Sequence, residues 1–162
     1  MCENCAKIGM KTILLVVGRP VAPHFIAAIT DYVQRIKRYT SFDMEVIPEL
    51  KNTKSLSEEV QKEKEGDLIL KALQPGDVLV LLDEGGKEMR SSEFADYMKL
   101  KMNTVNKRLV FLIGGPYGFA PKVYAAAQEK MSLSRRTFSH QMVRLIFVEQ
   151  LYRAYSILNG SP

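Results

Sequence analysis

The sequence predicts one α/β domain, with a mostly parallel sheet flanked by helices. Three observations support this fold class. Short apolar runs alternate with segments of helical spacing, which is the pattern of strand–helix–strand units. The chain has 162 residues, of which 46% are hydrophobic and 25% charged, enough to bury one ordinary core. It also contains no repeat, low-complexity tract or linker that would divide it.

The first elements predicted are a strand, a helix and a second strand. Lys11–Gly18 is an apolar run ended by glycine, as in a parallel strand buried on both faces. His24–Tyr39 carries apolar residues near helical spacing and a basic cluster near its end. A solvated helix end and an RNA-contacting patch both explain that cluster. Phe42–Ile47 is the second predicted strand.

The middle of the chain predicts helix, strand and helix. Ser55-Leu56-Ser57-Glu58 matches a capping box and predicts a helix from there to about Leu73. A Pro-Gly turn follows, and then Val78–Asp83, a third buried strand. Ser92 is the expected N-cap of a helix over Glu93–Val105.

The last third begins with a fourth strand, Leu109–Ile113. Pro121 suits the first position of a helix over Lys122–Glu129, and a short strand is expected at Met131–Leu133. The final helix, about Gln141–Leu158, is apolar nearly all round. A helix of this kind is covered on more than one side, so we expect a homodimer.

Composition excludes several classes of protein. No apolar run approaches the roughly 20 residues that span a bilayer. A net charge of +5 permits a nucleic-acid partner without requiring one. Cys2 and Cys5 form a lone CxxC, so we expect residues 1–9 to be an N-terminal extension to a single domain over residues 10–162. We expect no metal cofactor, no membrane association and a reducing, cytoplasmic setting.

Three loops leave the carboxyl ends of predicted strands, where ligands collect in a parallel sheet. They follow Leu82-Asp83, Ile113 and Leu133. The second loop, Gly114–Gly118, is glycine-rich, so backbone can approach a ligand there. A tight turn without a ligand is the alternative. The spacing matches neither a dinucleotide fingerprint nor a phosphate loop, which disfavours a nucleotide-dependent oxidoreductase.

Polar side chains near the last loop are candidates for chemistry. His140 opens the final helix and Arg144 lies one turn later, so the two face the same space. His140 is alternatively a structural hydrogen-bonding group. Arg153 has an ordinary ion pair with Glu149 as its alternative explanation. Arg135-Arg136 is either a solvated pair or a phosphate clamp.

At these residues the sequence resembles the RlmH family of SPOUT methyltransferases. The resemblance covers residues 10–162 and is most specific in the last thirty residues. It is carried by Met10-Lys11 before an apolar strand, Leu82-Asp83 with Gly86-Lys87 and Ser91-Ser92-Glu93, Ile113-Gly114-Gly115, Ser132–Gln141, Val143-Arg144 and Glu149–Ala154. It implies a trefoil-knotted α/β fold and S-adenosylmethionine-dependent methylation of N3 of a pseudouridine in 23S ribosomal RNA. It also implies a homodimer acting on assembled ribosomes.

By position, the resemblance assigns two sets of residues. The S-adenosylmethionine contacts are Leu82, Gly114, Leu133, Ser134, Arg135, Arg136, Thr137 and Phe138. The residues that position the base and phosphate are His140, Arg144 and Arg153. Two departures stand out: Ser139 occupies a usual proline position, and the family's Tyr-His pair beyond the final Gly-x-Pro is not in this sequence. The alternative function is a non-catalytic ribosome-binding or assembly factor that retains the fold.

Overall fold

The computed structural model describes residues 9–20 and 22–161. Their five strands form one parallel sheet in the order β2-β1-β4-β3-β5. The strands are β1 (Lys11–Val17), β2 (Phe42–Ile47), β3 (Val78–Glu88), β4 (Arg108–Ile113) and β5 (Glu129–Ser132). The α-helices are α1 (Pro23–Lys37), α2 (Glu58–Ala72), α3 (Ser91–Thr104), α4 (Pro121–Ala126) and α5 (His140–Leu158). The predicted extension with Cys2 and Cys5 lies outside the described residues, Gly9 excepted.

Helices cover both faces of this sheet, as the fold class predicted. Alternate residues of β1 enter different cores, because successive side chains of a strand point to opposite faces. Leu14 and Val16 join the core beneath α1, α3 and α5. Ile13 and Leu15 join the core beneath α2 and α4. All four side chains are buried, which explains the continuous apolar run in the sequence.

Strand β3 is longer than predicted. It continues past Asp83 through Gly85 and Gly86, a segment that reads as a turn in the sequence. Met131 of β5 is paired with Leu82 before this segment and with Lys87 after it. A Cβ on Gly86 would lie 2.5–2.7 Å from the backbone of Met131. The glycine therefore permits a close approach of the β3 backbone to β5, and the prediction of a strand end at Asp83 was wrong.

The expected N-cap of α2 is also corrected. The Ser57 hydroxyl accepts a hydrogen bond from the Val60 N–H at 3.2 Å and caps the helix. Ser55 instead ends a short 3-10 turn, Thr53–Ser55. Ser55 has Glu58 three residues later, as a capping box requires, whereas Ser57 has Val60 at that position, so the motif indicated the wrong serine.

Helix α3 begins two residues earlier than predicted, at Ser91 instead of Glu93. Arg90 occupies the N-cap position, and its N–H donates to the Glu93 carboxylate at 3.1 Å. Ser92 therefore lies inside the first turn, and its assignment as the cap was wrong.

Helix α4 ends at Ala126 and is shorter than predicted. Gln128 does not continue the helix because its side-chain oxygen accepts a hydrogen bond from the Leu79 N–H of β3 at 2.7 Å.

Helix α5 packs on the sheet between α1 and α3. Its N-cap is Ser139, whose hydroxyl accepts from the Met142 N–H at 3.3 Å. Phe147 is fully buried in the core of its own chain, whereas Ile146 is half-buried. Two neighbouring helices thus account for part of the apolar pattern that suggested a partner subunit. Of the helices described, none is long and apolar enough to cross a membrane.

Candidate functional site

The three loops after β3, β4 and β5 converge, as the sequence predicted, on a cavity of about 370 Å³. It lies at the carboxyl ends of these strands, where parallel sheets bind ligands. Most of the residues assigned as donor contacts line it: Leu82, Gly114, Leu133, Ser134, Arg136, Thr137 and Phe138. Arg135 does not line the cavity. Its side chain is 89% exposed, with Nε 3.8 Å from a Glu88 carboxylate oxygen.

The loop after β5 is held by its own hydroxyl groups. The Ser132 hydroxyl donates to the Ser134 carbonyl at 3.0 Å, and the Ser134 hydroxyl accepts from the Arg136 N–H at 3.0 Å. The Thr137 hydroxyl lies 3.3 Å from a carboxylate oxygen of Glu84, in the loop segment of β3. These bonds give the cavity a wall of fixed shape, which reduces the entropy lost when a ligand binds.

The glycine loop after β4 is constrained by protein contacts. Gly118 has a φ of +79°, a conformation that favours glycine. A Cβ on Gly114 would lie 2.7 Å from the ring of Phe119, and a Cβ on Gly115 would lie 2.6 Å from the Glu65 carboxylate. Glycine at 114 and 115 therefore makes room for two side chains of the protein itself. Packing within the protein is thus enough to explain these two glycines, as the alternative of a tight turn without a ligand proposed, although both also line the cavity.

His140 is exposed at the start of α5 and lines both this cavity and a second one. Arg144, one turn later, is only 2% exposed. Its Nη2 donates to the Val17 carbonyl at 2.5 Å, which ties α5 to the end of β1. Its Nε and Nη1 atoms are buried without a hydrogen-bond partner among the described residues. Burial lowers the pKa of Arg144.

Arg153 is not brought to either cavity within this chain. It follows Arg144 by nine residues, which places it about 180° around α5 and about 13 Å along the helix axis. Its alternative explanation, an ion pair with Glu149, is also absent from the described residues. The assigned role of Arg153 stays a prediction.

The second cavity measures about 320 Å³ and shares Gly115, Pro116 and His140 with the first. Glu65 and Arg144 also line it. The Glu65 carboxylate accepts the Gly115 N–H at 3.1 Å. Burial raises the pKa of Glu65, against the lowering effect of that hydrogen bond.

Sequence reasoning missed Glu65. It is one of several acidic residues of α2 and carries no motif. The neighbouring Gly66 is the one local signal, because this glycine lets α2 approach Ala120 and Val123 at the start of α4. A close helix contact of this kind brings the α2 side chains toward the glycine loop.

Comparison with known proteins identifies the family. Residues 10–162 match the family model described as "Predicted SPOUT methyltransferase". The chain belongs to the SPOUT methyltransferase family. The resemblance stated from sequence, and with it the expectation of a methyltransferase, is confirmed.

Several relatives of this SPOUT methyltransferase bear the name "Ribosomal RNA large subunit methyltransferase H". The protein from Bacteroides thetaiotaomicron is 77% identical over 153 residues, covering 94% of this chain and 98% of the relative. The protein from Parabacteroides distasonis is 62% identical over the same shares. A solved structure, a probable methyltransferase from Bordetella pertussis, is 11% identical with a TM-score of 0.55, covering 94% of this chain and 97% of that one. That likeness supports the fold alone.

Proposed function

We propose that this chain transfers a methyl group from S-adenosylmethionine to N3 of a pseudouridine in large-subunit ribosomal RNA. The names of its relatives, which are 50–77% identical to it, support the RNA substrate. One structural observation carries the proposal. A cavity at the carboxyl ends of three parallel strands is lined by most of the positions that the family resemblance assigns to the methyl donor.

The residues of that cavity fit S-adenosylmethionine. Its volume, about 370 Å³, lies in the range of small-molecule sites. Apolar Leu82, Leu133 and Phe138 suit an adenine ring, and the hydroxyl groups of Ser134 and Thr137 suit ribose and amino-acid groups. The sulfonium of the donor supplies an electrophilic methyl group without a metal. The protein must then align the acceptor nitrogen and remove its proton.

The dimer and the knot belong to the same proposal. The position of Arg153, on the side of α5 away from Arg144, suits a role at the cavity of a partner subunit. Ile146 is the better test of that interface, because Phe147 is fully buried and a charge there would unfold the monomer. We expect light scattering to show a dimer for the unmodified chain and a monomer for Ile146→Asp. The trefoil knot, which the family resemblance implies, stays a prediction.

The substrate test compares ribosomes with a naked RNA hairpin. A net charge of +5 offers few contacts for reading RNA sequence unaided, so selection of one nucleotide should depend on the shape of an assembled target. We expect mass spectrometry to detect one added methyl on ribosomes from a strain lacking this gene, and negligible methylation of the hairpin. The assay uses the chain of 162 residues.

Each outcome of this test has a distinct meaning. Efficient turnover of the hairpin would refute assembly-dependent recognition. Calorimetry with S-adenosylmethionine separates the alternative function, because a non-catalytic assembly factor has no need of the donor. Binding of ribosomes without binding of the donor would favour that alternative. Both arginines are exposed, but only Arg136 lines the cavity. Arg135→Ala is therefore expected to weaken ribosome binding without weakening donor binding, whereas Arg136→Ala should weaken both.

A further inference from the structure

We propose that the second cavity binds the acceptor uracil ring and that Glu65 accepts the proton released from its N3. This inference rests on the proposed function and assigns the acceptor site and the general base within it. The second cavity is the space of about 320 Å³ lined by Glu65, Gln141 and Arg144.

The position of the cavity is the first argument. Methyl transfer requires the acceptor nitrogen to lie about 3–3.5 Å from the donor methyl carbon. A site for the acceptor must therefore directly border the first cavity, here named the donor cavity, which is lined by Leu82, Gly114 and Phe138 among others. The second cavity does so, since Gly115, Pro116 and His140 form a wall common to both.

Unpartnered polar atoms are the second argument. Arg144 Nε, Arg144 Nη1 and Gln141 Oε1 are buried without a hydrogen-bond partner among the described residues. Buried polar groups are costly unless they are paired, so this set indicates a ligand with both carbonyl and N–H groups. In a uracil ring, N3–H lies between two carbonyl groups. Guanidinium N–H groups match the carbonyls, and a carboxylate matches the N–H.

The setting of Glu65 is the third argument. The Gly115 N–H holds one of its oxygens at 3.1 Å, which orients the carboxylate beside the wall common to both cavities. The other oxygen accepts no hydrogen bond from the described residues, so it is available to a proton. His140 is exposed and less restrained, which makes it the weaker candidate. The other charged or titratable groups that line the cavity are Arg19, Glu49, His140 and Arg144.

The proposed step balances without a further reactant. A lone pair on N3 forms the bond to the methyl carbon, and the carbon–sulfur bond breaks with its electron pair left on sulfur. The N3–H bond pair stays on nitrogen while its proton passes to the free Glu65 oxygen. The carboxyl group then releases that proton to water. Burial, which raises the pKa of Glu65, makes it a stronger base than an exposed carboxylate.

The test is Glu65→Gln in the chain of 162 residues. The amide oxygen of glutamine still accepts the Gly115 N–H, so the loop keeps its bond. The matched control is Glu63→Gln on the same helix, where the carboxylate is exposed and pairs with Lys122 at 2.8 Å. Single-turnover methylation of unmodified ribosomes is measured between pH 5 and 9, and S-adenosylmethionine binding is measured by calorimetry.

We expect Glu65→Gln to slow methylation by about 10²–10⁴-fold and to remove the acidic limb of the pH–rate profile. Donor affinity should stay within about twofold of the parent, and Glu63→Gln should match the parent in both assays. A retained rate, or a donor affinity that falls in proportion to the rate, would overturn the role of Glu65. So would an acidic limb that survives in Glu65→Gln and disappears in His140→Gln. If the parent itself binds no donor and methylates no ribosome, it is the proposed function that has failed.

Discussion

Replacing Gly86 with alanine tests the close approach of the β3 backbone to β5. The added Cβ would lie 2.5, 2.6 and 2.7 Å from the N, C and Cα atoms of Met131. These are backbone atoms of a paired strand, so a change of side-chain rotamer cannot relieve the clash. Gly85→Ala is the matched control, because its Cβ would meet only a carboxylate oxygen of Asp83 at 3.9 Å.

The expected difference follows from two opposing effects. Forcing a methyl group into a packed site costs about 1–3 kcal/mol, and contact with backbone favours the upper end. Replacing a glycine of compatible conformation gains about 0.4–1 kcal/mol by restricting the unfolded chain. We therefore expect Gly86→Ala to lower the free energy of unfolding by about 2 kcal/mol and Gly85→Ala to raise it slightly. For a chain of this length, that lowers Tm by about 4–8 °C in Gly86→Ala.

Circular dichroism during heating, with urea unfolding as a check on reversibility, measures both variants. Gly86→Ala should also weaken S-adenosylmethionine binding, because Ser132, next to Met131, lines the donor cavity. The reasoning would be refuted if the Tm values of the two variants agreed within about 2 °C. It would also be refuted if Gly85→Ala were the less stable of the two.

Three further predictions follow from individual contacts. Gly114→Ala should abolish S-adenosylmethionine binding in calorimetry, because the added Cβ would displace the ring of Phe119. The double variant Gly114→Ala, Phe119→Leu should restore binding. If it does not, the ligand itself needs the space beside Gly114. Asp77→Ala should lower the free energy of unfolding in urea by about 3 kcal/mol. The Asp77 carboxylate accepts hydrogen bonds of 2.9 and 3.0 Å from Arg108, which would lose its buried partner. A loss below about 1 kcal/mol would contradict this. Burial raises the pKa of Glu65 in the folded state, so the folded protein holds this proton more tightly than the unfolded chain does. The protonated side chain therefore stabilises the fold below about pH 4.3, and this stabilisation is lost as pH rises through the folded-state pKa. Glu65→Gln should thus be more stable than the parent at pH 8 but not at pH 4, and equal curves at pH 8 would contradict it.

The sequence predicted the sheet well and the element ends less well. Buried parallel strands are apolar on both faces, so runs such as Val78–Leu82 stand out without knowledge of their neighbours. The extension of β3 through Gly85-Gly86 depends on a strand that comes more than forty residues later. The local turn residues contain no information about that long-range pairing. The assignment of the α2 N-cap to Ser55 failed for a different reason, because Ser55 matches the capping box with Glu58 whereas the true cap, Ser57, does not match it.

The donor cavity was predictable because its residues follow strand ends, and parallel strands bring their carboxyl ends together. Arg135 and Arg136 show the limit of that reasoning. Loop direction decides which of two adjacent side chains enters the cavity, and the sequence does not encode it in any motif. Glu65 was beyond reach, since its position depends on the packing of α2 against α4 through Gly66. Residues placed by helix packing, unlike those at strand ends, leave no periodic signal at the site.

The glycine loop lies between the two cavities and, under the proposed function, would let a small domain hold two ligands side by side. Gly114 leaves room for Phe119, which helps to line the donor cavity. Gly115 leaves room for the Glu65 carboxylate, which lines the second. Two adjacent residues without side chains therefore set the thickness of the wall between the cavities. A larger residue at either position would move the two ligands apart. It would also displace Phe119 or Glu65, each of which lines one of the cavities. Substitutions at these two glycines should therefore reduce donor binding and methyl transfer together.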